Sequence, residues 1–120
     1  MATIKAYTDI SQAKALAEIL PLESADMYYI NSDINKIIIR KWKDDVHDED
    51  DLPCWSLAAL LGILPIIDNR SPVIPKTFDG KYRVTYHSTA YEKAIITSDY
   101  DNPVDACYEM IMKLHELKML

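Results

Sequence analysis

The chain has 120 residues, 49% of them hydrophobic and 27% charged, with a formal net charge of −6. That length fits one domain able to bury its own core, and that balance excludes wholesale disorder. With only two glycines there is no material for a glycine-rich phosphate loop.

The N-terminal Met1-Ala2-Thr3-Ile4-Lys5 has no apolar run of the signal-peptide kind. Residues 11–20 read as a short helix. Ser11 is placed to cap it, Ala13, Leu16, Ala17 and Leu20 form one face, and Pro21 stops it. Met27–Ile30 and Ile37–Trp42 are β-rich, and Asn31-Ser32-Asp33-Ile34-Asn35 between them is turn chemistry, so a hairpin is expected. The consecutive Ile37, Ile38 and Ile39 suggest a strand covered on both faces.

The segment Asp44-Asp45-Val46-His47-Asp48-Glu49-Asp50-Asp51 holds six acids and no base, while the 13 acids elsewhere balance the 13 bases. The whole excess charge therefore lies in what reads as one loop. No basic patch suited to nucleic acid is visible, and an acidic chain is a poor ligand for DNA, RNA or anionic membranes.

Pro53–Leu64 reads as a second helix, opened by Pro53 and closed by Pro65, with Ser56 its only polar residue. A helix apolar all round is expected to be buried. The apolar run from Cys54 to Ile67, broken by Pro65, falls short of the ~18 residues of a membrane span. An irregular connection follows, with Pro65, Pro72 and Pro75 in or beside it. Asp79-Gly80 is the strongest hairpin signal in the chain and joins Ile74–Phe78 to Tyr82–His87. Tyr91–Thr97 can pair next, across Ser88-Thr89-Ala90. Along Tyr82–His87, the residues Tyr82, Val84 and Tyr86 share one face and Arg83, Thr85 and His87 the other, which is expected to be wet.

The last nineteen residues form the best-specified element. Asn102 is a helix cap, Pro103 occupies the first helical position, and Asp105 complements the dipole in the first turn. Val104, Cys107, Ile111 and Leu114 form an apolar stripe. Glu109 stands four residues ahead of Lys113 in the favourable order.

The order α-β-β-α-β-β-β-α predicts a single α+β domain over residues 1–120. It would hold an antiparallel sheet of about five strands, built as two hairpin units and covered by two to three helices. The expected core draws on Leu16, Leu20, Ile37, Ile39, Trp55, Leu57, Leu60, Leu61, Leu64, Val84, Tyr86, Ile95, Cys107, Ile111 and Leu114.

Cys54 and Cys107 both lie in apolar helical patterns. They make neither a zinc motif nor a disulfide framework and read as small buried hydrophobes. Reduced cysteines and the missing export signal favour the cytoplasm. The acidic segment lacks the alternating oxygens, central glycine and terminal glutamate of a calcium loop. Its functional reading is a partner-binding strip at Asp48, Glu49, Asp50 and Asp51. His47, His87 and His115 share no ligand spacing with one another or with the cysteines, so neither metal nor cofactor is expected. Ser56 beside Cys54 has no elbow glycine and no adjacent base, which leaves catalysis without footing.

Two stretches carry a resemblance: Leu52-Pro53-Cys54-Trp55-Ser56-Leu57-Ala58-Ala59-Leu60-Leu61, and Asp101 to Glu116 with its Asn102-Pro103-Val104-Asp105 start. Leu20–Met27 is a weaker echo. In these stretches the chain resembles a family of small proteins of gut anaerobic bacteria and their phages or mobile elements. The resemblance implies a small domain of phage or prophage origin and brings no activity with it. The expected function is a non-catalytic intracellular interaction or accessory protein that binds a protein partner. Homodimerisation through the apolar Pro53–Leu64 helix is also expected. The alternatives are an acidic nucleic-acid mimic that inhibits a nucleic-acid enzyme, and a small-ligand binder or enzyme.

Overall fold

Asp9, not Ser11, starts the first helix. In the computed structural model, which describes residues 5–30, 33–38, 52–67, 70–87 and 94–120, α1 spans Ile10–Ile19. The Asp9 carboxylate accepts the Gln12 N–H at 2.8 Å, and the Gln12 side-chain oxygen accepts the Asp9 N–H at 3.1 Å. This reciprocal box satisfies two donors at once, which Ser11 with Lys14 three residues on cannot do. Ala13 and Leu16 are buried. Leu20, held extended as the residue before Pro21, ends the helix.

The chain divides into two compact units, Ala6–Leu60 and Leu61–Leu120 together with Met1–Lys5. In the first, β1 (Met27–Ile30), β2 (Asp33–Ile38) and β3 (Leu52–Cys54) form an antiparallel sheet in the order β2-β1-β3. Met27, Tyr28 and Tyr29 of the central strand are all buried, without alternation, as in a strand covered on both faces. β2 begins at Asp33, inside the stretch expected to turn, and its pairing with β1 slips between Tyr29 and Ile30.

β3 overturns the expected helix start. Pro53 stands opposite Tyr28 on an edge strand, where its missing N–H breaks no ladder. The helix α2 is correspondingly shorter, Leu57–Ile63. Leu60 is fully buried, but Leu61 is 41% exposed and Ala58 and Gly62 are also exposed. An all-apolar sequence therefore does not make an all-buried helix here.

In the second unit, β4 (Thr85–Tyr86) pairs antiparallel with β5 (Ile95–Ile96). Single bridges Val73–Thr85, Lys76–Tyr82 and Tyr82–Tyr100 extend this pairing. Asp79-Gly80 makes the expected turn. Gly80 adopts φ 82°, a conformation glycine takes at no steric cost, and donates its N–H to the Thr77 carbonyl at 3.0 Å. The segment before it touches the sheet only at isolated bridges, because Pro72 and Pro75 offer no N–H to a ladder. The helix α3 spans Pro103–Glu116, with the Asn102 side chain accepting the Asp105 N–H at 2.9 Å. Its buried stripe is Val104, Ala106, Cys107, Met110, Ile111 and Leu114. Glu109 and Lys113 tie α3 to the β5 segment: Ser98 N–H donates to Glu109 at 2.7 Å, and the Lys113 ammonium donates to the Ile96 carbonyl at 3.0 Å.

The fold is thus α+β and antiparallel, but among the described residues its order is α-β-β-β-α-β-β-α. Their strands lie in a three-stranded and a two-stranded sheet rather than in one sheet of five. Of the expected core, Leu16, Leu20, Trp55, Leu60, Leu64, Val84, Tyr86, Cys107, Ile111 and Leu114 are buried. Leu57 and Ile95 are half-buried. Ile39 and Trp42 lie outside the described residues, as does the side chain of Ile37.

Candidate functional site

The expected partner-binding strip, Asp48, Glu49, Asp50 and Asp51, lies outside the described residues, and so does His47. His87 and His115 are exposed, whereas Cys54 and Cys107 are buried free thiols. Among the described residues, no three His, Cys, Asp or Glu side chains gather as metal ligands.

Cys54 belongs to a polar knot rather than to a helix. The segment 6–8 runs against 55–57: Thr8 N–H donates to Trp55 O at 3.0 Å, and Leu57 N–H to Ala6 O at 3.1 Å. Inside this crossing, Thr8 Oγ1 accepts the Trp55 N–H at 3.2 Å and lies 3.4 Å from Cys54 Sγ. The Tyr29 hydroxyl donates to Thr8 O at 2.7 Å, and the Trp55 indole N–H donates to Ser24 Oγ at 3.0 Å. Burial pushes the Cys54 thiol up to about 11, the Thr8 and Tyr29 contacts lowering it only in part. Burial alone pushes Cys107 up to about 12. A nucleophilic cysteine needs a depressed value and access, so both thiols are packing groups.

Ser56 is likewise committed. Its N–H donates to Asp26 Oδ1 at 2.9 Å, its hydroxyl donates to the other carboxylate oxygen, and its Oγ accepts the Ala59 N–H at 3.2 Å. It caps α2 while Asp26 holds the cap.

The most open chemistry lies on the outer face of the second sheet. Val73, Thr85 and Ile96 stand directly across from one another and so share a face. Arg83 and His87, two residues either side of Thr85, share it too. Val84 and Tyr86 point the other way and are buried, the Tyr86 hydroxyl donating to Pro65 O at 2.7 Å. On the outer face Val73 is 41% and Ile96 44% exposed, and Phe78, on the Asp79-Gly80 turn, is fully exposed. An open groove of about 540 Å³ runs here, with Phe78, Arg83, Thr85, His87 and Ile96 among its walls. Thr85 is nonetheless buried, at the floor. The expectation of a wet face therefore holds for Arg83 and His87 but not for Thr85.

Charges of both signs rim the groove. Arg83 Nη2 donates to Asp99 Oδ2 at 3.2 Å, while its Nε lies 2.9 Å from Oδ1 without hydrogen-bond geometry. Lys81 pairs with Asp101, which holds the ammonium above its ordinary value. On the opposite face, where Lys76 stands across from Tyr82, the Lys76 ammonium lies 5.9 Å from the Tyr82 ring centre. Among the described residues no hydrogen bond joins His87 to a carboxylate or a hydroxyl, so this face offers apolar shelter with a mixed-charge rim and no acid–base pair.

Sequence reasoning placed Arg83, Thr85 and His87 on one face but missed Phe78 and Ile96 as its exposed apolar members. The signal was there: Phe78 directly precedes the Asp79-Gly80 turn, where a side chain has nothing to pack on. Compared with known protein families, curated proteins and solved structures, the chain matches none of them.

Proposed function

We propose that this chain is a non-catalytic interaction protein that docks a protein partner on the outer face of the β4–β5 sheet. The observation that carries this reading is exposed Phe78 and Ile96 lining an open groove, with exposed Val73 on the same face across from Thr85. Clustered apolar exposure rimmed by polar groups marks interaction surfaces rather than idle ones. The buried, committed states of Cys54, Cys107 and Ser56 support a role without catalysis. Among the described residues no helix is long and apolar enough to cross a membrane, and a cytoplasmic accessory protein of a phage or mobile element is part of the same reading. Its support is the resemblance in the Leu52–Leu61 and Asp101–Glu116 stretches.

The test is affinity capture from a host lysate with three baits: wild type, Phe78→Asp/Ile96→Asp, and a variant with Asp48, Glu49, Asp50 and Asp51 neutralised to amides. Loss of a specific partner with the sheet-face variant alone supports the reading. Loss with the neutralised variant alone transfers the function to the acidic segment and the mimic alternative. A groove of about 540 Å³ is also of small-ligand size. A melting temperature raised by one compound of a metabolite panel, and not raised in the Phe78→Asp/Ile96→Asp variant, would favour that second reading.

A further inference from the structure

We infer that the partner on this face is a second copy of the same chain, paired about a two-fold axis with Phe78 of each copy seated in the groove of the other. The inference rests on the docking reading above and names its occupant.

Charge points to this face. Leu61–Leu120 together with Met1–Lys5 carries eight acids and eight bases, so the entire net charge of −6 belongs to Ala6–Leu60. A neutral surface associates with its own copy, whereas a strongly charged one repels it. Self-pairing is therefore opposed on the first unit and unopposed on the second.

The rim fits a copy of itself. A two-fold interface brings the same patch to both sides, so the patch must be self-complementary. Arg83 with Asp99 and Lys81 with Asp101 supply both signs, each side chain more than a third exposed. Rotation about an axis through the groove can set each cation near the partner's carboxylates. A rim of one sign could not pair with itself.

Face-to-face contact is also the route the sheet leaves open. The Lys113 ammonium, reaching from α3, occupies the Ile96 carbonyl on the outer edge of β5, and an edge acceptor covered in this way opposes strand addition there. Phe78 supplies the anchor. Its turn is braced by Thr77 N–H to Lys81 O at 2.6 Å, by Lys81 N–H to Thr77 Oγ1 at 2.9 Å, and by the Thr77 hydroxyl on Asp79. An aromatic side chain on a rigid support loses little freedom on docking. The pairing surface is thus the β4–β5 face rather than Pro53–Leu64, where Pro53, Cys54, Trp55 and Leu60 are already buried.

The test places the photoreactive p-benzoylphenylalanine at position 78 of the full chain. Irradiation of the purified protein should yield a cross-linked dimer whose linked peptide contains residues 83–87 or 94–96, and excess wild type should compete it away. In sedimentation, Phe78→Asp should weaken the wild-type dimer by at least about 30-fold, the hot-spot range, with the circular dichroism spectrum unchanged and the melting temperature lowered only at concentrations where wild type is dimeric. A purified protein that stays monomeric and uncross-linked at 100 micromolar overturns the inference. Cross-linking to a foreign protein in lysate would then leave the docking reading standing, and no cross-link in lysate would overturn both.

Discussion

Replacing both thiols, Cys54→Ala with Cys107→Ala, should flatten the loss of stability at alkaline pH. Both thiols are fully buried, and burial raises them from 9.0 to about 11 and about 12. The unfolded chain gives up these protons first. The stabilisation is therefore complete below pH 9 and is lost as pH rises through the folded values. Each pH unit over which a folded thiol keeps a proton that the unfolded one has lost costs about 1.4 kcal/mol. Between pH 8 and pH 10.5 each thiol thus removes about 2 kcal/mol, and the pair about 4 kcal/mol. Urea unfolding under a reductant, followed by circular dichroism at both pH values, measures the drop in each protein. The variant should start weaker at pH 8 by about 1–2 kcal/mol, because it leaves small cavities, yet fall by about 4 kcal/mol less. Lysines titrate in both proteins and cancel in the difference, whereas Tyr29 and Tyr86, each raised chiefly by burial and in smaller part by the neighbouring cysteine, cancel in their burial part alone. An equal fall in wild type and variant would refute the assignment of the thiols as buried and protonated.

Three further perturbations test the supports of the two units. Tyr29→Phe removes the hydroxyl that holds the Thr8 carbonyl at 2.7 Å and should cost about 1–3 kcal/mol in chemical denaturation, because a buried acceptor loses its main donor. A loss below about 0.5 kcal/mol, the level of an ordinary surface change, would show that the knot is not under tension from that bond. Asn102→Ala should cost about 1 kcal/mol by freeing the Asp105 N–H, and Asn102→Ser should recover most of it in the same assay. Gly80→Ala meets nothing within 4 Å; its cost of about 1 kcal/mol is backbone strain at φ 82° alone, visible as a lower melting temperature.

The C-terminal helix was legible residue by residue because its signals are local: Asn102, Pro103 and the three-four spacing depend on nothing distant. The Asp79-Gly80 turn was legible for the same reason. The Pro53 region was not. A proline opens a helix or ends a ladder with equal ease, and what decides is whether β1 offers Pro53 an edge, a fact of pairing rather than of the segment's own sequence. Ser11 and Asp9 show the smaller version of this error. Both are capping types, and the choice fell to Gln12, which completes the box only with Asp9. The exposed apolar side of the second sheet escaped for a further reason: the alternation of Arg83, Thr85 and His87 marks a wet face, but only the cross-strand register brings Val73 and Ile96 beside Thr85.

The short strands explain why so many hydroxyls are buried. A two-residue ladder such as β4–β5 leaves backbone donors unmatched at its ends, and a buried donor must find a partner. Thr97 answers for Val84, its Oγ1 accepting the Val84 N–H at 2.9 Å while donating to Ser98 O at 2.9 Å. Thr8 answers for Trp55 in the other unit, Tyr29 for Thr8, and Tyr86 for Pro65. Asp26 and Ser56 do the same for the start of α2. Each of these side chains has chemistry that catalysis could have used, and each is already engaged with backbone. Freeing any of them for a substrate would expose an unpaired backbone group at a cost of about 1–3 kcal/mol. Among the described residues, the exposed apolar side chains Phe78, Val73 and Ile96 of the sheet face carry no such backbone duty, so an interaction there asks for no rearrangement of the fold.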